Sequence, residues 1–173
     1  MPKIVTNIPE PPTAPTPPRK RWTREHCAPL EVNASMLMLE WIQDTFGRRF
    51  VNAEAPIDVS PEDNPWNEPE PDLIVLKREY SNFRSGNPQP EDVALVIEIA
   101  DSSLAFDLTT KARLYARAGI EKYWVLDVAG RRLIVHRSPA SGRYASVVAY
   151  RENEMIAPLT APDNVFAPSR ALL

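Results

Sequence analysis

Three side chains in this sequence, Asp72, Glu98 and Lys111, have types and settings that suit one another. Glu98 lies near the end of an otherwise apolar run, Val93 to Ile99 (V-A-L-V-I-E-I). Such a run, without polar alternation, reads as a strand covered on both faces. An ionised carboxylate there is costly unless it is paired or holds a metal. Asp72 opens the preceding strand-like run, Asp72 to Leu76 (D-L-I-V-L), and Lys111 stands on the helix that follows. Two carboxylates with a neighbouring main-chain carbonyl, here that of Ile99, supply oxygen ligands for a hard cation. Mg²⁺ (or Mn²⁺) in such a site keeps several waters and completes its shell with substrate phosphate. The metal polarises a phosphodiester and lowers the pKa of a bound water. A lysine beside it holds that water or stabilises charge developing at phosphorus. These three groups together suit metal-dependent phosphodiester hydrolysis. Carboxylate pairs also serve glycosidases, but the lysine and the strand placement fit that reaction less well.

The elements that must position these groups are legible in outline. Pro69 and Pro71 bracket Glu70 and fix an extended entry into the Asp72 strand. The connection from Lys77 to Asp92 is polar and carries Gly86, Pro88 and Pro90, so it can turn the chain back. The two strands are then antiparallel neighbours, with Asp72 and Glu98 at one edge of the sheet. The segment I-A-D-S-S-L-A-F-D leads into a helix from about Asp107 to Ala118, ended by Gly119. Helical spacing places Leu108, Ala112, Leu114, Tyr115 and Ala118 in one apolar arc, while Thr109, Thr110, Arg113 and Arg117 face away. Lys111 falls inside that arc and Asp107, four residues earlier, at its margin. A lysine so placed either snorkels to water or meets the sheet edge that carries two carboxylates.

Around this centre, Ala34 to Phe46 predicts a helix with Met36, Leu39, Ile42 and Phe46 on its stripe, widened by Leu37, Met38 and Trp41, with Asn33 as N-cap and Gly47 as stop. Phe50 to Val59 reads as a strand, and Ser60 to Pro71 as a proline-rich loop. Glu121 to Val128 and Arg131 to Arg137 read as a hairpin turning at Ala129-Gly130, followed by a strand from Arg143 to Tyr150. No element is assigned beyond it. The order is helix, three strands, helix, strand meander: an α/β (α+β) chain with a mixed sheet flanked by helices. Residues 1–20 hold seven prolines and read as an extended leader, leaving 21–173 as a single domain.

Composition excludes several classes. The chain has 173 residues, 43% apolar and 25% charged, as in a globular protein. A net charge of −3 gives no global basic field, so any nucleic-acid contact needs a local patch. The single Cys27 and the two histidines, His26 and His136, are too few for a thiolate or imidazole metal site. With no apolar run of membrane-spanning length and no signal-peptide core, the expected compartment is the cytoplasm.

The same stretches carry a resemblance. P-E-P-D-L at 69–73, I-E-I-A-D-S-S at 97–103, D-L-T-T-K at 107–111 and Y-A-R-A-G-I-E-K-Y-W-V-L-D at 115–127 closely resemble the Uma-type putative restriction endonuclease family, of the PD-(D/E)XK nuclease superfamily. The resemblance implies a restriction-endonuclease-like fold, often a homodimer, with Asp72 and Glu98 as metal ligands and Lys111 as the catalytic lysine. The superfamily lysine two residues after the glutamate is here Ala100, and Lys111 on the next helix matches its migrated position. The family's acidic segment and histidine before the first helix are replaced by C-A-P-L-E-V-N-A-S at 27–35, which retains only Glu31 as an acid.

Each residue also has a plainer reading. Asp72 could satisfy a turn, Glu98 could pair with Arg113, Lys111 could be a structural partner of Glu98, and Asp107, a secondary candidate, could cap its helix. Arg48, Arg49, Arg131 and Arg132 are either phosphate contacts or solvated surface, and Tyr123 and Trp124 read as core. The expected activity is a Mg²⁺-dependent endonuclease acting on DNA. The alternative is a non-catalytic dimeric module of the same fold that binds nucleic acid or protein.

Overall fold

Val93–Ala100 is the strand around which the sheet is built, and every one of its residues is buried. The computed structural model describes residues 29–59, 69–83 and 86–172. The expected leader, the Arg19–Arg21 cluster, His26 and Cys27 lie outside the described residues. The strands are β1 (Val51–Ala53), β2 (Leu73–Leu76), β3 (Val93–Ala100), β4 (Lys122–Asp127), β5 (Arg132–Ala140) and β6 (Arg143–Arg151). They form one six-stranded sheet in chain order. Only the β3–β4 pair is parallel; all other neighbours are antiparallel. The mixed sheet is thus the expected one, including the antiparallel pairing of β2 with β3.

Two helices cover opposite faces. The first, α1 (Pro29–Phe46), begins earlier than expected, with proline near its first turn where a missing N–H costs nothing. Asn33 is therefore interior to the helix and not its cap. Its buried line is Ala34, Met38, Trp41 and Ile42, with Leu37, Leu39 and Phe46 partly buried beside it, so the widened stripe packs as expected except for Met36, which is 65% exposed. Gly47 ends α1 at φ +89, where a side chain would be strained, and its N–H bonds back to the Gln43 carbonyl at 2.9 Å. The second helix, α2 (104–117), starts at Leu104 rather than Asp107. It runs Leu104–Phe106, then a π-helical turn Asp107–Lys111, then Ala112–Arg117.

The pleat sorts the core into two layers. Leu95, Ile97 and Ile99 of β3 face α1, together with Leu73, Val75, Trp124 and Leu126. Val96 and Ala100 face α2, with Ile74, Leu76, Tyr123 and Val125. On the α1 side Trp41 packs against Trp124 (6.2 Å between ring centroids) and against Phe166 (4.6 Å). Phe166 belongs to the C-terminal stretch left unassigned from sequence. It pairs with Ile156 through a single β-bridge and seals this layer.

The expected strand from Phe50 to Val59 shortens to β1. Glu54 takes φ +50 and Pro56 has no N–H to give a ladder, so Ile57 and Val59 are buried as irregular chain. The Lys77–Asp92 connection holds two single 3₁₀ turns, Tyr80–Asn82 and Pro90–Asp92. Among the described residues no helix is long and apolar enough to cross a membrane.

The aromatic stack makes the C-terminal stretch part of the core. Phe166→Ala is expected to cost about 3–5 kcal/mol, read as a shift of the urea midpoint at unchanged slope. A shift below about 1 kcal/mol, a value typical of surface positions, would mean that the C-terminal segment is not part of the packed core.

Candidate active site

Backbone pairing and pleat bring the two acids together. Leu73 pairs with Ile97 in the antiparallel β2–β3 ladder, so Asp72, one residue before β2, lies across from Glu98. Asp72 shares parity with Ile74 and Leu76, and Glu98 with Val96 and Ala100, so both point to the α2 face. The N–H of Ile99 donates to Asp72 Oδ2 at 2.6 Å and fixes the carboxyl at the sheet edge. The carboxyls of Asp72 and Glu98 are close enough that the charge of Asp72 acts on Glu98.

The π-helical turn supplies the other half. Ser103, Asp107, Lys111 and Tyr115 recur every four residues. Four residues overshoot a 3.6-residue turn by about 40°, and the wider π turn takes that drift back, keeping the row on one face. The N–H of Ala112 reaches the Asp107 carbonyl five residues earlier, and the Thr109 hydroxyl donates to the Ala105 carbonyl at 2.6 Å. Such threonine back-bonding loosens a helix locally. Tyr123 Oη also donates to the Asp107 carbonyl, at 3.0 Å.

The resulting contacts are close. Lys111 Nζ is 2.8 Å from Glu98 Oε2 and 3.3 Å from Asp107 Oδ1. Tyr115 Oη donates to Glu98 Oε1 at 2.8 Å, and Ser103 Oγ donates to Asp107 Oδ2 at 2.5 Å. Asp107 Oδ1 is buried without a hydrogen bond among the described residues. The four residues singled out from sequence, Asp72, Glu98, Lys111 and Asp107, therefore meet in one place. Asp107 lies inside the helix, so it does not cap it, and Arg113 is on the exposed face, away from Glu98. From sequence Tyr115 belongs only to the apolar arc of the helix and Ser103 only to its start. The signal that could have found them is the four-residue repeat through Lys111.

Glu98 is 1% exposed. Burial first, then the charges of Asp72 and Asp107, push its carboxyl up to about 8 against the pull of Lys111. Burial likewise raises Asp72, opposed by the Ile99 N–H and by Lys111. Burial works against the Lys111 charge, but Glu98, Asp107 and Asp72 outweigh it and raise this group too. Two carboxyls this close do not both ionise without a proton or a cation between them. Hard oxygen donors of this kind fit Mg²⁺, which needs only one or two protein carboxylates. Among the described residues no group of three or more His, Cys, Asp or Glu side chains gathers as a metal cage, so the shell would be completed from outside the protein.

The remaining candidates divide. Arg49 pairs with Glu79 at 3.6 Å and Arg48 is exposed, while Tyr123 and Trp124 are core, as expected. Arg131 and Arg132 lie elsewhere on the sheet edge, at the β4–β5 turn.

The family model Uma2, described as "Putative restriction endonuclease", matches residues 23–168. No curated protein matches the sequence. Among solved structures the chain is similar to a putative nuclease belonging to DUF820 from Anabaena variabilis. The identity is 13% and the TM-score 0.62, covering 84% of this chain and 82% of that one. The likeness is one of fold, and it agrees with the mixed α+β sheet.

The raised carboxyl has a consequence for stability. Glu98 holds its proton more tightly folded than unfolded between its ordinary 4.5 and about 8. Its contribution is therefore complete below about 4.5 and is lost as pH rises through about 8. In cation-free buffer Glu98→Gln is expected to flatten the fall in denaturation midpoint across this window. An unchanged slope in the variant would contradict the assignment.

Proposed function

The chain belongs to the Uma2 family of putative restriction endonucleases, and from that premise we propose that it hydrolyses phosphodiester bonds of DNA with Mg²⁺ or Mn²⁺. The observation that carries the reading is the meeting of Asp72 and Glu98 on one face of the sheet, with Lys111 Nζ 2.8 Å from Glu98. Asp72, Glu98 and the main-chain carbonyl of Ile99 would hold the cation. When bound, it would polarise the phosphodiester and lower the pKa of a water beside it.

The protein's own groups have distinct tasks in this scheme. The Ile99 N–H aims Asp72, and Tyr115 aims Glu98 by holding the oxygen that Lys111 does not. Lys111 lies against Glu98 in the free protein and balances its charge when the carboxyl ionises. With substrate present its ammonium faces the phosphate and stabilises negative charge developing there. Asp107 holds Lys111 from the other side, and Ser103 holds Asp107. The glycosidase reading has no comparable role for a lysine between the acids. The homodimer implied by the family resemblance belongs to the same proposal.

A second reading, a non-catalytic module of this fold, is favoured by one observation: Lys111 Nζ already sits 2.8 Å from Glu98 Oε2 with no metal ion needed to hold that oxygen. Calorimetry separates the two. Mn²⁺ heat that vanishes in Asp72→Ala favours the nuclease; no heat with DNA binding intact favours the module.

Plasmid nicking with Mg²⁺ or Mn²⁺ tests the activity. Asp72→Ala and Glu98→Ala are expected to abolish it, and Lys111→Ala to slow it on the order of 10²–10³-fold, as for loss of a preorganised charge-stabilising donor. Equal nicking by wild type and all three variants would assign the activity to a contaminant or another site.

A further inference from the structure

A second feature lies on the same sheet edge. Gly130, Arg131, Arg132, Arg151, Glu152 and Asn153 line an open cavity of about 400 Å³ at the β4–β5 turn and the end of β6. Arg132 and Arg151 are direct cross-strand partners. Like charges in that position repel and destabilise a sheet unless an anion comes between them. Arg132 and Arg131 are each gripped through Nε alone, Arg132 by Asp127 Oδ2 at 2.7 Å and Arg131 by Glu152 Oε2 at 2.5 Å. Among the described residues their terminal guanidinium nitrogens make no hydrogen bond, and the Arg151 guanidinium has no carboxylate partner. Glu154 takes only the Arg151 backbone N–H, at 2.7 Å. Three guanidiniums thus meet two carboxylates at the cavity, and the carboxylates orient them without using their forks.

Register relates the cavity to the acid pair. Asp127 is the β4 partner of Ala100 and the β5 partner of Arg132, which in turn faces Arg151. By parity all of these belong to the α2 face, the face of Asp72 and Glu98. From β3 to β6 is three strand spacings, roughly 14 Å at about 4.8 Å each. That span equals about four nucleotide rises of 3.4 Å. Arg131 holds φ +49, a conformation uncommon for a residue with a Cβ, at the turn that presents the cluster.

We propose that this three-arginine cavity is a second anion subsite that takes a backbone phosphate of duplex DNA, several nucleotides from the bond at Asp72 and Glu98. The inference rests on the nuclease reading for its substrate class. The guanidinium fork matches a phosphate in two-point hydrogen bonding, which a lysine does not. Contacts of this kind set register on the duplex and carry no base information.

The test uses Arg151→Gln and Arg151→Lys, because removing Arg151 leaves no described carboxylate unpaired. Binding of a fluorescein-labelled 20-base-pair duplex is followed by anisotropy across a salt series, with Ca²⁺ present. Cleavage of bis(p-nitrophenyl) phosphate with Mn²⁺, a probe too small to span both places, is followed in parallel. For Arg151→Gln the slope of log K against log salt is expected to fall by about 0.9, the value for one lost phosphate contact. Arg151→Lys should keep the slope, and cleavage of the small ester should equal wild type. A slope in Arg151→Gln equal to wild type, or no duplex binding by wild type, overturns the subsite. If duplex binding depends on Arg151 but neither ester nor DNA is cleaved, the subsite stands and the nuclease reading fails. If the ester is cleaved and duplex binding ignores Arg151, only the subsite fails.

Discussion

The site depends on one buried ion pair, Lys111 with Glu98. A carboxylate 1% exposed on the central strand needs compensation, and it receives an ammonium at 2.8 Å and a tyrosine hydroxyl at the same distance. Burying both charges gains little over a well-packed apolar pair, while removing one partner typically costs about 3–5 kcal/mol. Stability alone is a poor reason to put these groups here. Their placement makes sense when the carboxylate has a second partner to accept and the lysine somewhere else to act.

The two faces of the sheet divide the work. The α1 face is apolar and sealed by Trp41, Trp124 and Phe166. The α2 face holds the charged groups, because every second residue of β2, β3, β4 and β5 points there: Asp72, Glu98, Asp127 and Arg132 all fall at its edge. The helix meets Glu98 through Lys111 and Tyr115, on either side of the end of its π turn at Asp107–Lys111. A π turn inside an α-helix is often a mark of a functional position, and here it keeps Ser103, Asp107, Lys111 and Tyr115 in one row.

Much of this was legible in the sequence, for identifiable reasons. The unbroken apolar run at 93–99 admits little but a doubly covered strand, which made Glu98 conspicuous. Lys111 was visible as a cation inside an apolar arc, and Gly86, Pro88 and Pro90 implied the return that pairs β2 with β3. The phase of α1 was legible only as a broad stripe: Leu30, Val32, Met36, Leu37, Met38 and Leu39 are apolar nearly all round, so the pattern could not show that packing would centre on Met38, Trp41 and Ile42 and leave Met36 exposed. The sequence makes β1 look longer than it is because Ile57 and Val59 are buried without a ladder. The π turn was invisible, since DLTTK at 107–111 fits an ordinary helix equally well. Phe166 lacked any local periodicity to declare it core.

In the proposed reading the Asp72 and Glu98 carboxyls share a divalent cation. Anomalous diffraction from crystals grown with Mn²⁺ measures this directly. The expected result is a manganese peak between those two carboxyls and beside the Ile99 carbonyl, with Lys111 Nζ drawn away from Glu98 toward Asp107 Oδ1. Saturating Mn²⁺ that leaves no peak there, with Lys111 still bound to Glu98, would contradict it.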